Sequence, residues 1–144
     1  ESKIDYAQFV EWLESSEINA SERGSLLRGL QRAKATESGD WSIIHSYCGT
    51  LEGKLAGLLL GSGHDIALVS RSRDGETRLT ARATKNATSK GISLANIMNQ
   101  ISESLGGSGG GHDGAAGWTG TVDRITAESS FISQVAKITP RGDA

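Results

Sequence analysis

The chain holds one cysteine and one proline in 144 residues, and only 5% of it is aromatic. A single thiol, Cys48, excludes an intrachain disulfide and any zinc site built from cysteine clusters. It fits a reducing cytoplasm. Cys48 stands in an apolar run, which suits a core position better than a reactive one. No apolar stretch reaches the length of a membrane span and no signal peptide is visible, so a cytoplasmic protein without membrane contact is expected. Scarce aromatics leave little for stacking on bases. No phosphate loop ending Gly-Lys-Ser/Thr occurs. The net charge of −2 argues against a protein basic all over. The first residue is Glu1, not methionine, as expected of a fragment of a longer protein.

What the chain has in excess is glycine. Eight of its 19 glycines fall between Gly106 and Gly120, so the excess is local. Charge is uneven too. Residues 1–22 carry six acids against Lys3, whereas residues 71–90 carry six cations (Arg71, Arg73, Arg78, Arg82, Lys85, Lys90) against Asp74 and Glu76. The basic stretch is either a solvated hairpin or a surface that attracts phosphates.

Periodicity predicts an amphipathic helix over 3–15 (Tyr6, Phe9, Val10, Leu13) and a second over 21–36, capped by Ser21 and carrying Leu26, Leu27, Leu30 and Ala33. Residues 1–38 thus read as a helical lead-in, ahead of a domain over 39–140. Trp41–Cys48 suits a strand, and Thr50 can cap a helix over 51–60. Asp65–Arg71 and Thr77–Ala83 suit two strands joined by the Asp74-Gly75 turn. On the latter, Arg78, Thr80 and Arg82 share one face and Leu79, Ala81 and Ala83 the other. Ser93 caps a helix with Leu94, Ile97, Met98, Ile101 and Leu105 on its core face. A glycine loop, a short strand over Trp118–Val122 and a helix over 127–138 complete the chain. The order predicts an α/β fold, a mixed sheet flanked by helices.

The run Ser108–Gly117, SGGGHDGAAG, carries the chemistry. Gly109-x-Gly111-x-x-Gly114 matches a dinucleotide fingerprint literally, but a helix precedes it where a strand is required. Gly106-Gly107-Ser108-Gly109-Gly110 matches a nucleophile elbow and lacks the same strand–turn–helix context. The physical content of the run survives both objections. Consecutive glycines can present bare amides to an anion, and His112 adds a switchable donor. Ala115 and Ala116 leave room for backbone or ligand. A tight structural turn with a buried histidine explains the same residues without any ligand.

The stretch GGSGGGHDGAAG resembles the signature of the DHH-associated domain, the C-terminal substrate-binding domain of DHH-family phosphoesterases. Gly109, Gly110, Gly111, His112, Ala115, Ala116 and Gly117 match its Gly-Gly-Gly-His and Ala-Ala-Gly segments. Upstream, LTARATKNATSKGISLANIMNQISESLGG resembles the archaeal RecJ-like branch of single-strand exonucleases, with Gly91, Leu94, Gly106 and Gly107 matching and Arg82 on the strand arginine. The likeness spans roughly 41–122. It implies a five-stranded mixed sheet with flanking helices. It implies that Arg82 and the glycine–histidine loop hold a phosphate or nucleotide of single-stranded nucleic acid. It further implies hydrolysis against a separate upstream DHH domain holding two manganese or magnesium ions. This chain has no Asp-His-His triplet, and His64-Asp65 and His112-Asp113 are isolated pairs. No catalytic residue, metal ligand or bound cofactor is therefore expected within it.

Bottom-up, Arg82 and Arg78 on one face can grip phosphate oxygens in a fork, with Arg71 and Arg73 as weaker candidates. Trp118 is the nearest stacking candidate, though core packing behind the loop accounts for it better. Three functions follow: a holder of single-stranded DNA or RNA, a holder of a dinucleotide or nucleoside bisphosphate, or a non-catalytic module. The module would dock a replication or repair partner, or a second copy, through its acidic helices. Alanyl-tRNA synthetases carry a similar domain for binding.

Overall fold

The computed structural model describes residues 18–142. Helix α1 (Ala20–Arg32) leads into strands β1 (Lys34–Ser38) and β2 (Trp41–Tyr47), helix α2 (Glu52–Leu60) and strands β3 (Ile66–Arg73) and β4 (Glu76–Ala83). Helices α3 (Lys85–Ser89) and α4 (Leu94–Leu105), strands β5 (Ser108–His112) and β6 (Ala115–Gly120) and helix α5 (Arg124–Ala136) follow. The strands form one six-stranded sheet in the order β1-β2-β3-β4-β6-β5. Only β2 and β3, joined through α2, run parallel. Every other neighbouring pair is antiparallel.

Burial explains the layers. In β3, Ile66, Ala67, Leu68 and Val69 are all fully buried, the pattern of a strand covered on both faces. One core joins Ile43, Ile66, Leu68, Leu79 and Trp118 to α4 and α5 through Met98, Ile101 and Phe131. The other joins Ile44, Ala67 and Val69 to α1 and α2 through Leu26, Leu55 and Leu59. Helix α2 packs on β2, β3 and β4, whereas β5 and β6 pack against α4.

The fold class is the expected one, with six strands in place of about five. The extra strand is Lys34–Ser38, which takes the end of the helix expected over 21–36 and the first two residues of the loop expected after it. The helix ends at Arg32, and Lys34 to Ser38 pair with His45 to Trp41. Its N-cap is Asn19, not Ser21: Asn19 Oδ1 accepts from the Glu22 amide at 2.8 Å, and Glu22 accepts from the Asn19 amide at 3.0 Å. This reciprocal capping box outcompetes a serine two residues on. Thr50 caps nothing; α2 starts behind Leu51, a non-glycine residue at φ +63°. The expected glycine loop is strand β5. Its partner occupies Ala115–Gly120 instead of Trp118–Val122, and the last helix starts at Arg124, capped by Asp123. The predicted helix over 3–15 lies outside the described residues. Ser93 does cap α4, and Asp74-Gly75 closes the β3–β4 hairpin with φ +51° and +80°.

Cys48 is buried, and burial with the nearby Glu52 carboxylate pushes its thiol up to about 11. The protonated thiol thus contributes stability below the ordinary thiol pKa of 9.0, and that contribution is lost as pH rises toward 11. We expect Cys48 to alkylate at pH 8 about a hundredfold slower in the folded chain than in denaturant. A labelling time course with iodoacetamide measures this; equal rates in the two states would contradict it.

Candidate functional site

The register of β4, β6 and β5 sorts the residues singled out by sequence. Ala67, Arg82, Ala115 and His112 lie in one cross-strand row from β3 to β5. Partners directly opposite in antiparallel strands project to the same face, so Arg82, Ala115 and His112 share a face. The next rows on that face are Thr80–Gly117–Gly110 and Arg78–Thr119–Ser108. Between Arg82 and the sheet edge the floor therefore carries nothing larger than a methyl group until His112. Gly109, Gly111 and Ala116 belong to the opposite face, turned toward α4. The structure brings Arg82, Gly110, His112 and Ala115 together and separates the other three from them.

The glycines differ in what requires them. A Cβ on Gly109 would lie 2.7 Å from the Met98 carbonyl oxygen, so α4 demands a glycine there. Gly111 combines φ +137° with a Cβ position 2.7 Å from the Ala115 oxygen. A Cβ on Gly107 would collide with the Thr119 carbonyl oxygen. Gly110 is different: a Cβ there would meet nothing within 4 Å. Packing explains most of the glycine run but leaves Gly110 without an internal reason.

Helix α2 borders the same face. Gly53, Lys54, Gly57, Leu58 and Arg82 line an open cleft of about 500 Å³. The Arg82 guanidinium lies beside α2, with its Nη1 3.9 Å from where a Gly57 Cβ would stand. A Cβ on Gly53 would meet nothing. Two glycines inside a nine-residue helix weaken it by about 1 kcal/mol each relative to alanine. Internal packing returns nothing for them. Sequence reasoning missed this wall; the available signal was Gly53-x-x-x-Gly57, one helical turn apart in a stretch otherwise read as core.

The basic strands are not uniformly available. Arg71 Nε stands 3.1 Å from Glu52 Oε2, and Arg78 Nη1 3.7 Å from the same oxygen. That oxygen is buried without an aligned hydrogen bond. Arg73 donates to the Gly49 carbonyl at 2.6 Å. Arg82 is exposed and, among the described residues, carries no ion pair or hydrogen bond. His45 bonds Thr36 at 2.9 Å and His64 bonds Ser42 at 3.2 Å, so both serve the fold. His112 is exposed, with no side-chain partner among the described residues. Its hairpin tip is nevertheless fixed: Ser93 Oγ donates to Asp113 Oδ1 at 2.6 Å, and the Leu94 amide donates to the Asp113 carbonyl at 2.9 Å. Trp118 is not a stacking platform. It is buried, and its indole N–H donates to the Gly106 carbonyl at 2.9 Å. Among the described residues no three His, Cys, Asp or Glu side chains gather, so these residues do not fit a two-metal centre.

Across one sheet face stripped of side chains, one arginine without a partner among the described residues and one exposed histidine stand in register. A family model described as the DHHA1 domain matches residues 48–137, and the chain belongs to that family. The uncharacterized protein MJ0988 of Methanocaldococcus jannaschii is 32% identical over 133 residues, covering 91% of this chain. The chain spans 40% of that relative's length. Among solved structures, the C-Ala domain of Aquifex aeolicus alanyl-tRNA synthetase is similar in fold, with a TM-score of 0.54 and 15% identity over 69% of this chain and 98% of that one. A pGpG-specific phosphodiesterase from Vibrio cholerae is similar in fold at a TM-score of 0.55 and 13% identity, over 91% of this chain and 42% of that one.

Two classes of glycine predict opposite stabilities. Gly109→Ala should lose about 1–3 kcal/mol through its collision with backbone. Gly53→Ala should gain about 0.5–1 kcal/mol, and Gly110→Ala should cost nothing. Urea unfolding of the three variants checks the order, and equal destabilisation in all three would refute it.

Proposed function

We propose that this domain holds the phosphodiester end of a single-stranded nucleic acid for hydrolysis by an upstream DHH domain carrying manganese or magnesium. The observation carrying this reading is the set of glycines that the fold does not need. Gly53, Gly57 and Gly110 all border the surface that presents Arg82 and His112. A stability cost kept without an internal return is expected where an external group must approach closely.

In this reading Arg82 forks onto non-bridging phosphate oxygens. His112, braced through Asp113 and Ser93, donates to a neighbouring phosphate or sugar oxygen. The floor of Gly110, Ala115 and Gly117 lets the sugar or base lie flat on the sheet. Such contacts position a backbone and read little sequence. The domain supplies binding and orientation, and the metal-assisted step belongs to the other domain.

A dinucleotide is the second reading, and one observation favours it. With Arg71 and Arg78 facing Glu52 and Arg73 donating to the Gly49 carbonyl, Arg82 is the strand arginine on this face without a partner among the described residues, so the grip is short. A protein of similar fold is named for hydrolysing pGpG.

Fluorescence anisotropy with labelled single strands from two to about twelve nucleotides tests both readings. We expect salt-sensitive binding, weakened about tenfold by Arg82→Ala and His112→Ala and measurably by Gly110→Ala, with folding intact. Affinity rising with length supports the strand, and affinity saturating at two nucleotides supports the dinucleotide. Wild-type affinity in all three variants would refute the site.

A further inference from the structure

A second cationic surface lies on the other face of the sheet. Tyr47 ends β2 on the side packed by α5, whereas Arg82 projects toward α2. Tyr47 is 41% exposed, and with Ile125 it is one of two large apolar side chains left in solvent among the described residues. Both line a notch of about 120 Å³.

Three cations from three elements converge there: Arg32 from the last turn of α1, Lys34 from β1 and Arg124 from the first turn of α5. The guanidinium carbons of Arg32 and Arg124 lie 4.5 and 4.2 Å from the Tyr47 ring centroid. Among the described residues one carboxylate answers them. Glu128 Oε2 stands 3.3 Å from Arg124 and accepts from Ser70 at 3.2 Å, while its Oε1 stands 3.7 Å from His45. Arg32 donates to the Tyr47 carbonyl at 3.3 Å, and Lys34 is exposed with no partner among the described residues.

The ring orients two guanidinium planes beside one opening, and an exposed cation–π contact contributes only about 0.5–1 kcal/mol each. Like charges gathered on a single ring repel, and Glu128 compensates only one of the three. Among the described residues the uncompensated charge is two positive units, which a dianion matches and a carboxylate or phosphodiester does not. A notch of this volume has room for one tetrahedral group.

We propose that this notch is a phosphomonoester site. A terminal phosphate is gripped by Arg32, Arg124 and Lys34, and the carbon skeleton of its donor rests on Ile125. The chemistry is shared by inorganic phosphate, a mononucleotide and the 5′-phosphorylated end of a strand. The site rests on observations separate from the Arg82 cleft.

Two-dimensional ¹H–¹⁵N NMR of the full chain, titrated at constant ionic strength with inorganic phosphate, with AMP and with adenosine, tests it. Phosphate and AMP should shift the signals of Tyr47, Ile125 and the Arg124 side chain, and adenosine should not. AMP tighter than phosphate identifies a nucleotide as the donor, and equal affinities identify the free ion. Lys34→Gln, an exposed change that leaves the fold alone, should weaken binding about tenfold, as should Arg124→Gln. Arg82→Ala should leave it unchanged. Shifts confined to Gly110, His112 and Arg82, or unaltered affinity in Lys34→Gln, would overturn the proposal without touching the cleft. Loss of binding at the cleft alone would leave this site standing.

Discussion

Helix α4 lies against β5 so closely that Gly109 has no space for a side chain above the Met98 carbonyl. Much of the geometry of the face that carries His112 depends on this contact. It sets the height of β5, and Gly111 lets that strand bend back over Ala115 and Ala116. Ser93, which caps α4, holds the hairpin tip through Asp113. Helix start, strand edge and hairpin tip are thus one mechanical unit, and His112 rides on it. The residue with the chemistry contributes nothing to this support, which leaves its imidazole available.

Electrostatics then select among the arginines. A basic stretch read along the chain is split by the fold into members with different duties. Glu52 sits buried at the start of α2 and draws Arg71 and Arg78 toward it. A carboxylate in that setting is tolerated only because two guanidiniums approach it. Arg73 ties down the loop before α2. Arg82, farther along β4, lies beside Gly57 of the same helix and meets no acid there. The neutral bulk charge of the chain conceals this division, because pairing depends on register and not on composition.

Much of the architecture was legible in the sequence because its signals are local. Alternation marked β4 and its two faces, Asp74-Gly75 marked the central hairpin, and Ser93 marked α4. What escaped was decided elsewhere. Lys34–Ser38 is polar and short, and it becomes a strand only by pairing with β2. The glycine run has no strand propensity of its own; pairing with β6 and packing against α4 make it β5. Trp118 looked like a possible platform until its neighbours filled the space around it. The residues of the cleft divide in the same way. The His112 and Arg82 positions were visible as chemistry, and Ala116 was indistinguishable from Ala115 until register turned one inward. Gly53 and Gly57 passed unnoticed because their meaning is an absence of contact, which no periodicity reports.

The Asp74-Gly75 hairpin occupies the middle of the sheet, and this has a consequence for the order of assembly. Contacts between β3 and β4 close a short loop and so form at low entropic cost. Strands β5 and β6 join β4 only after α3 and α4 have been laid across the intervening chain. The wall of the cleft that carries Arg82 therefore matures before the wall that carries His112. A nascent chain would present the arginine on a half-built sheet, and the face it shares with His112 would be complete only when the last hairpin docks. Completion of this face is thereby tied to completion of the fold.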